Sequence, residues 1–319
     1  MAVYTKVDDQ TLNAFLATYD VGEATSFKGI AEGVENSNYL LETTKSRFIL
    51  TLYEKRANPE DLPYFLNMME HLAGGGIPSP LPIHDKSGKA LQTLAGRPAC
   101  LISFLSGVSV HHPSENQCAA LGAMLADMHK VGQSFDESRP NDLSLAGWKE
   151  LATKTDARAD EVKEGLAAEI RAELAALEAA WPTGLPSGTI HADLFPDNVL
   201  FTGDTITGVI DFYFGCTDML AYDIAVCINS WCFDENHQFL PGHAKRLIEM
   251  YDAHRPLTPG EIQALPLLCR GAALRFLLTR LYDWLNPVEG AVVNPKNPLD
   301  YLKRLKFHQQ IGDAAQYVV

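Results

Sequence analysis

No run of about 20 consecutive apolar residues, the length a membrane-spanning helix needs, occurs in this sequence. Residues 1–10 hold one Lys and two Asp and no apolar centre, so no secretory leader is expected there. Basic charge is scarce: 26 Lys and Arg stand against 40 Asp and Glu, a net charge of −14. Nucleic acid and anionic membrane surfaces attract clustered cations, so neither is an expected partner. The six cysteines (Cys100, Cys118, Cys216, Cys227, Cys232 and Cys269) contain no C-x-x-C pair. Neither a disulfide framework nor a zinc site is expected; reduced core thiols of a cytoplasmic protein are. The only Gly-Lys pair, Gly88-Lys89, is followed by Ala90, so no Walker A loop is present. There is also no His-Glu-x-x-His and no G-x-S-x-G elbow, which argues against a metal hydrolase or a serine hydrolase.

What is there suits a globular enzyme. Apolar residues make up 46% of the 319 and charged residues 21%, enough for one large domain or two lobes. The first hundred residues read as strand-rich with one helix. β-prone runs at 38–43 and 47–53 flank Thr44-Lys45-Ser46, a plausible hairpin. Leu62, Phe65, Leu66, Met69 and Leu72 recur with helical period over 61–72, and Gly74-Gly75-Gly76 follows. Beyond Gly107 the character turns helical. Ser114 with Gln117 predicts a capping box, and one long helix is expected over 156–181. Short strands are expected at 189–191, 199–201 and 206–211, and the lobe junction at 105–107.

The chemistry concentrates in His191-Ala192-Asp193-Leu194-Phe195-Pro196-Asp197-Asn198, followed by Gly208-Val209-Ile210-Asp211. Phosphoryl transfer needs an aligned hydroxyl, neutralised phosphate charge and excluded water more than it needs covalent help. Asp193 can orient a hydroxyl and accept its proton late. Asn198 and Asp211 offer oxygen ligands to Mg²⁺, a hard cation, and a loop leading into a hairpin can bring strand-end residues to one metal. A few local cations together with Mg²⁺ allow even an acidic protein to take ATP. Each residue also has a plain reading: Asp193 and Asp211 as loop or strand-end caps, Asn198 as a turn residue. For His191 the plain reading, a brace for the loop, is preferred to a role as base.

Together these stretches resemble the catalytic and metal loops of the aminoglycoside-phosphotransferase-like kinases, distant relatives of protein kinases. The resemblance implies Asp193 as the catalytic Asp and Asn198 and Asp211 as metal ligands. Ala221-Tyr222-Asp223-Ile224-Ala225 resembles the family's downstream element, with Asp223 bracing the loop. Leu125-Ala126-Asp127-Met128-His129 is similar to its Leu-Ala-x-Leu-His helix. Residues 102–107 resemble the hinge whose backbone, at Phe104 and Leu105, binds adenine. The implied fold is α+β and bilobal: a small antiparallel N-terminal sheet with one helix, a larger mainly helical C-terminal lobe, and a cleft between. Residues 1–105 would then be the nucleotide-binding lobe and 106–319 the catalytic and substrate-binding lobe. Gly29, Gly33 and Ser37 are expected over the phosphates, although two glycines four apart equally suit a plain turn.

The amino-terminal third, with 274–284, most resembles the family's homoserine kinase branch, which acts in bacterial threonine synthesis. That implies ATP-dependent phosphorylation of a small amino-acid alcohol. A same-fold kinase for choline, ethanolamine, an aminoglycoside or a sugar-like alcohol is the alternative, as is an inactive kinase-like binding module. One departure stands out. The third strand of such kinases carries a phosphate-holding Lys, and here that position is Thr51. Lys55 is about 13 Å further along the strand; Lys28, Lys45 and Arg56 are the other candidates. The partner carboxylate is open among Glu60, Asp61 and Glu70. Arg270, Arg275 and Arg280 recur every five residues and so drift around a helix. Most are expected in structural ion pairs, with Arg275 or Arg280 free to take a substrate carboxylate.

Overall fold

The computed structural model describes residues 5–30, 36–54, 58–287 and 295–317. Their contacts divide them into two compact units: residues 5–107 with 208–213, and residues 108–207 with 214–287 and 295–317.

The first unit runs α1 (Asp9–Leu16), β1 (Ala24–Gly29), β2 (Ser37–Thr43), β3 (Arg47–Leu52), α2 (Leu62–Gly74), β4 (Leu91–Leu94) and β5 (Arg97–Ser103). Its strands form one antiparallel sheet in the order β1-β2-β3-β5-β4. Period-two alternation and register agree, since Tyr39 pairs with Leu50 and Leu41 with Phe48, all of them buried. Leu12, Phe15 and Leu16 of α1 join the same core. The sequence reading expects one helix in this region, and α1 is a second. Only eight residues long, it shows too little periodicity to be recognised alone and owes its stability to burial against the sheet.

The second unit holds α3 (Glu115–Gly132), α4 (Leu145–Thr155), α5 (Leu166–Ala180), β6 (Ser187–Ile190), β7 (Val199–Thr202), β9 (Cys216–Met219), α6 (Leu220–Trp231), α7 (Pro241–His254), α8 (Pro259–Leu285) and α9 (Leu299–His308). β8 (Thr205–Val209) pairs with β7 through a turn in which Gly203 has φ +62°, and β6 pairs with β9. The Ser114 capping box forms in full, and Thr258 with Glu261 makes another at the start of α8.

The single helix expected over 156–181 does not form. Gly165 adopts φ +77°, a left-handed geometry that interrupts the i→i−4 ladder, and α5 starts only at Leu166. α8 has the length and composition of a membrane span, yet 67% of its most apolar 18-residue window is buried within the protein, as in a core helix. All six cysteines are free and buried, and burial pushes the Cys100 thiol up to about 12.

Candidate active site

The loop after β6 is held from three sides. Asp223, in the first turn of α6, accepts the His191 N–H at 2.8 Å and the Ala192 N–H at 2.7 Å. Those bonds stabilise Ala192 at φ +63°, a region an L-residue seldom occupies without support. His129 of α3 lies 3.3 Å from the Asp223 carboxylate through Nε2, while its Nδ1 meets the Tyr251 hydroxyl at 2.7 Å. Complete burial would raise the Asp223 carboxyl, but His129 and the His191 N–H outweigh that and hold it below its ordinary value. Further along, the Leu194 carbonyl accepts from Trp231 Nε1 at 2.8 Å and from the Ser230 hydroxyl at 3.3 Å.

Inside this frame His191 is fully buried, and its Nδ1 takes the Asp193 N–H at 3.3 Å. Asn198 Nδ2 donates to the Asp193 carbonyl at 2.8 Å, which leaves Oδ1 as the atom of that amide able to ligate a cation. Among the described residues no three His, Cys, Asp or Glu side chains gather as a metal cage. That donor set fits Mg²⁺, which is commonly held by one or two protein oxygens together with substrate phosphates.

Asp211 belongs to the first unit and is exposed at φ +67°. Its segment is pinned there: the Val209 N–H donates to the Pro78 carbonyl at 2.8 Å, and the Tyr213 hydroxyl meets that of Tyr53 at 3.0 Å. Tyr53 in turn lies 3.1 Å from Cys100 Sγ. Burial raises both tyrosine hydroxyls, so they remain neutral hydrogen-bonding groups. The sequence reading missed Tyr53 and Tyr213; an aromatic residue just past a strand-end Asp carries no signal of its own.

Several expected contacts look different in place. Ser37 is 0% exposed and donates to Glu54 at 2.7 Å, and Glu54 pairs with Arg97 at 3.2 Å. A side chain so committed supports β2 and offers nothing to a phosphate, so Ser37 leaves the site. Gly29 ends β1 and is exposed; Gly33, Lys55 and Arg56 lie outside the described residues. Lys45 is paired with Asp20 at the β2–β3 turn, the opposite end of those strands from the loop after Gly29, and so drops out as the missing cation. Glu70 pairs with His84 at 3.1 Å. Thr51 is 2% exposed and donates to Asn38 Oδ1 at 2.8 Å. At the expected hinge the Phe104 N–H donates to the Arg47 carbonyl at 3.3 Å, with the Arg47 guanidinium 4.4 Å from the Phe104 ring centroid.

The three arginines of α8 separate. Arg270 grips Glu173 through two bonds of 2.8 and 2.9 Å, a structural pair. Arg275 is 1% exposed; it donates to the Ala192 carbonyl and lies 3.7 Å from the Asp193 carboxylate. Arg275 is thus directed at the loop, while its buried Nε has no hydrogen-bond partner among the described residues. Arg280 keeps 16% of its side chain exposed, with the Asp300 carboxylate at 3.5 Å.

Residues 26–257 match the family model described as the phosphotransferase enzyme family. The chain belongs to that family. This phosphotransferase is 56% identical over 317 residues to a homoserine kinase of Xanthobacter autotrophicus, with 99% of each chain covered. Its fold matches spectinomycin phosphotransferase in complex with ADP and spectinomycin, at TM-score 0.67, 15% identity and 98% coverage of both chains. An amicoumacin kinase bound to AMP-PNP and Ca²⁺ matches at TM-score 0.70, 14% identity and 97% coverage of both. The phosphotransferase therefore has the α+β, protein-kinase-like fold of its family.

Proposed function

We propose that this enzyme transfers the γ-phosphate of ATP to the hydroxyl of L-homoserine, giving O-phospho-L-homoserine in cytoplasmic threonine synthesis. The observation that carries this reading is the full-length 56% identity to a homoserine kinase, combined with the braced loop around Asp193. Asp193 orients the incoming hydroxyl and accepts its proton as the bond to phosphorus forms. Asp223, His191 and Arg275 keep that carboxylate in place, so little reorganisation is left for the reaction itself. Asn198 Oδ1 and the Asp211 carboxylate would hold Mg²⁺, which supplies charge neutralisation at the phosphate oxygens. Gly29 and Gly33 would lie over the phosphates, and the backbone of Phe104 and Leu105 would take the adenine.

The test is ADP release with Mg·ATP against L-homoserine, choline, ethanolamine and an aminoglycoside. Homoserine should give the highest kcat/KM. A higher value for any of the others would reject the substrate, and no ADP release with any would favour an inactive binding module.

A further inference from the structure

Beside the Asp193 loop lies a group of arginines, one of which, Arg304, no carboxylate of the described residues neutralises. Arg280 of α8 and Arg304 of α9 both stack on the ring of Tyr301, their guanidinium carbons 4.5 and 4.7 Å from its centroid. Two guanidiniums on one ring repel each other, and the Asp300 carboxylate, 3.5 Å from Arg280, offsets the charge of one of them. The neighbouring carboxylates are already assigned: Asp193 to Arg275, Asp197 to Lys296 at 3.5 Å, and Asp300 to both Arg280 and His237. Arg304 forms no ion pair among the described residues. It donates to the Asn229 carbonyl, and its buried Nε has no hydrogen-bond partner there.

Tyr301 points the same way. It is 0% exposed, and its hydroxyl also lacks a partner among the described residues, an arrangement that favours a bound polar group nearby. Its ring centroid lies 5.1 Å from that of Phe276, which packs 4.9 Å from that of Phe195, so the two arginines stand next to the loop that carries Asp193. The Arg304 anchor, Asn229, is on α6, whose next two residues, Ser230 and Trp231, hold the Leu194 carbonyl. Arg304 is thus tied to the same scaffold as the catalytic loop. Guanidinium is the side chain best shaped for a carboxylate, which it can take through two parallel bonds.

We infer that Arg304 and Arg280, with Tyr301 between them, form the subsite that reads the α-carboxylate of the substrate. This inference rests on the assignment of an amino-acid alcohol as substrate and adds the residues that distinguish it from alcohols lacking a carboxylate. The reacting hydroxyl then faces Asp193 while the opposite end of the molecule is anchored by α8 and α9.

The experiment compares L-homoserine with 3-aminopropan-1-ol, which keeps the hydroxyl and ammonium and lacks only the carboxylate. Wild type, Arg304→Gln, Arg304→Lys and Arg280→Gln are assayed with both, alongside thermal melting of each variant. The expected result is a fall of about a hundredfold in kcat/KM for homoserine, mostly through KM. Turnover of 3-aminopropan-1-ol should stay within about twofold of wild type, and Arg304→Lys should recover part of the loss. Equal losses on both substrates, or unchanged kcat/KM for homoserine, would overturn the subsite. If Arg304→Gln fails to fold, Arg304→Lys and Arg280→Gln decide by the same comparison. A wild-type enzyme inactive on homoserine but active on another alcohol would instead reject the substrate assignment, and the subsite with it.

Discussion

Arg275 lies 3.7 Å from the Asp193 carboxylate and donates to the carbonyl of Ala192, the residue immediately before it. One guanidinium therefore faces both the charge of the proposed catalytic side chain and the left-handed backbone that presents it. Replacing Arg275 by Met should lower kcat by about 10- to 100-fold, the scale of effect expected when a reacting group shifts by about 1 Å. KM for ATP should change little. Stability should fall by about 2 kcal/mol, less than a fully buried pair would lose, because Asp193 remains 18% exposed. Steady-state kinetics with urea unfolding checks this; a normal kcat with a large stability loss would make Arg275 purely structural.

Asp193→Asn tests the proton acceptor directly. The substitution keeps shape and can keep the bond from Asn198, but it removes the basic oxygen. A fall in kcat of about a hundredfold or more is expected, with ATP affinity largely retained. Nucleotide binding by calorimetry, run beside turnover, separates the two effects. Turnover near that of wild type would remove Asp193 from its role.

Asp211→Ala tests the assigned Mg²⁺ ligand. Activity should require far more Mg²⁺ or disappear, because one of two protein oxygens is lost. Folding should be spared, since Asp211 is exposed and its segment is held through Val209 and Tyr213. A Mg²⁺ titration identical to that of wild type would contradict the assignment.

His308 predicts a pH effect on stability unrelated to catalysis. Both ring nitrogens are engaged, with the Tyr317 hydroxyl at 2.9 Å and Asn229 Oδ1 at 3.2 Å. Burial, helped by the charge of Arg304, pushes the imidazole from 6.5 down to about 3. The unfolded chain therefore takes up the proton first as pH falls. The contribution is complete above about pH 6.5 and is lost as pH falls toward 3, with a slope of at most about 1.4 kcal/mol per pH unit. Urea midpoints at pH 7.5, 5.5 and 4.5 should decline more steeply in wild type than in His308→Gln. Parallel declines would show that His308 is not responsible.

Much of the candidate site's local structure was legible because it is local in sequence. The spacing of His191, Asp193 and Asn198 lies within one loop, Ser114 and Gln117 within one helical turn, and the β2–β3 hairpin within one short segment. The Gly165 break was visible as a residue type, yet nothing local shows that a glycine will take φ +77° inside an alanine- and glutamate-rich stretch. The setting of Ser37, and the choice among Lys28, Lys45 and Arg56, were not legible for a related reason: a strand position says little about which neighbour a side chain will meet.

The sequence alone determined the reaction class, since the chemistry of phosphoryl transfer needs particular oxygen-bearing side chains at short, fixed separations along the chain. Only the tertiary structure decided how α6 and α8 serve that loop. Asp223, Arg275 and Trp231 reach it from 31 to 83 residues away. Long side chains on helices are directed by packing, and packing sums many weak contacts that no spacing in a sequence encodes.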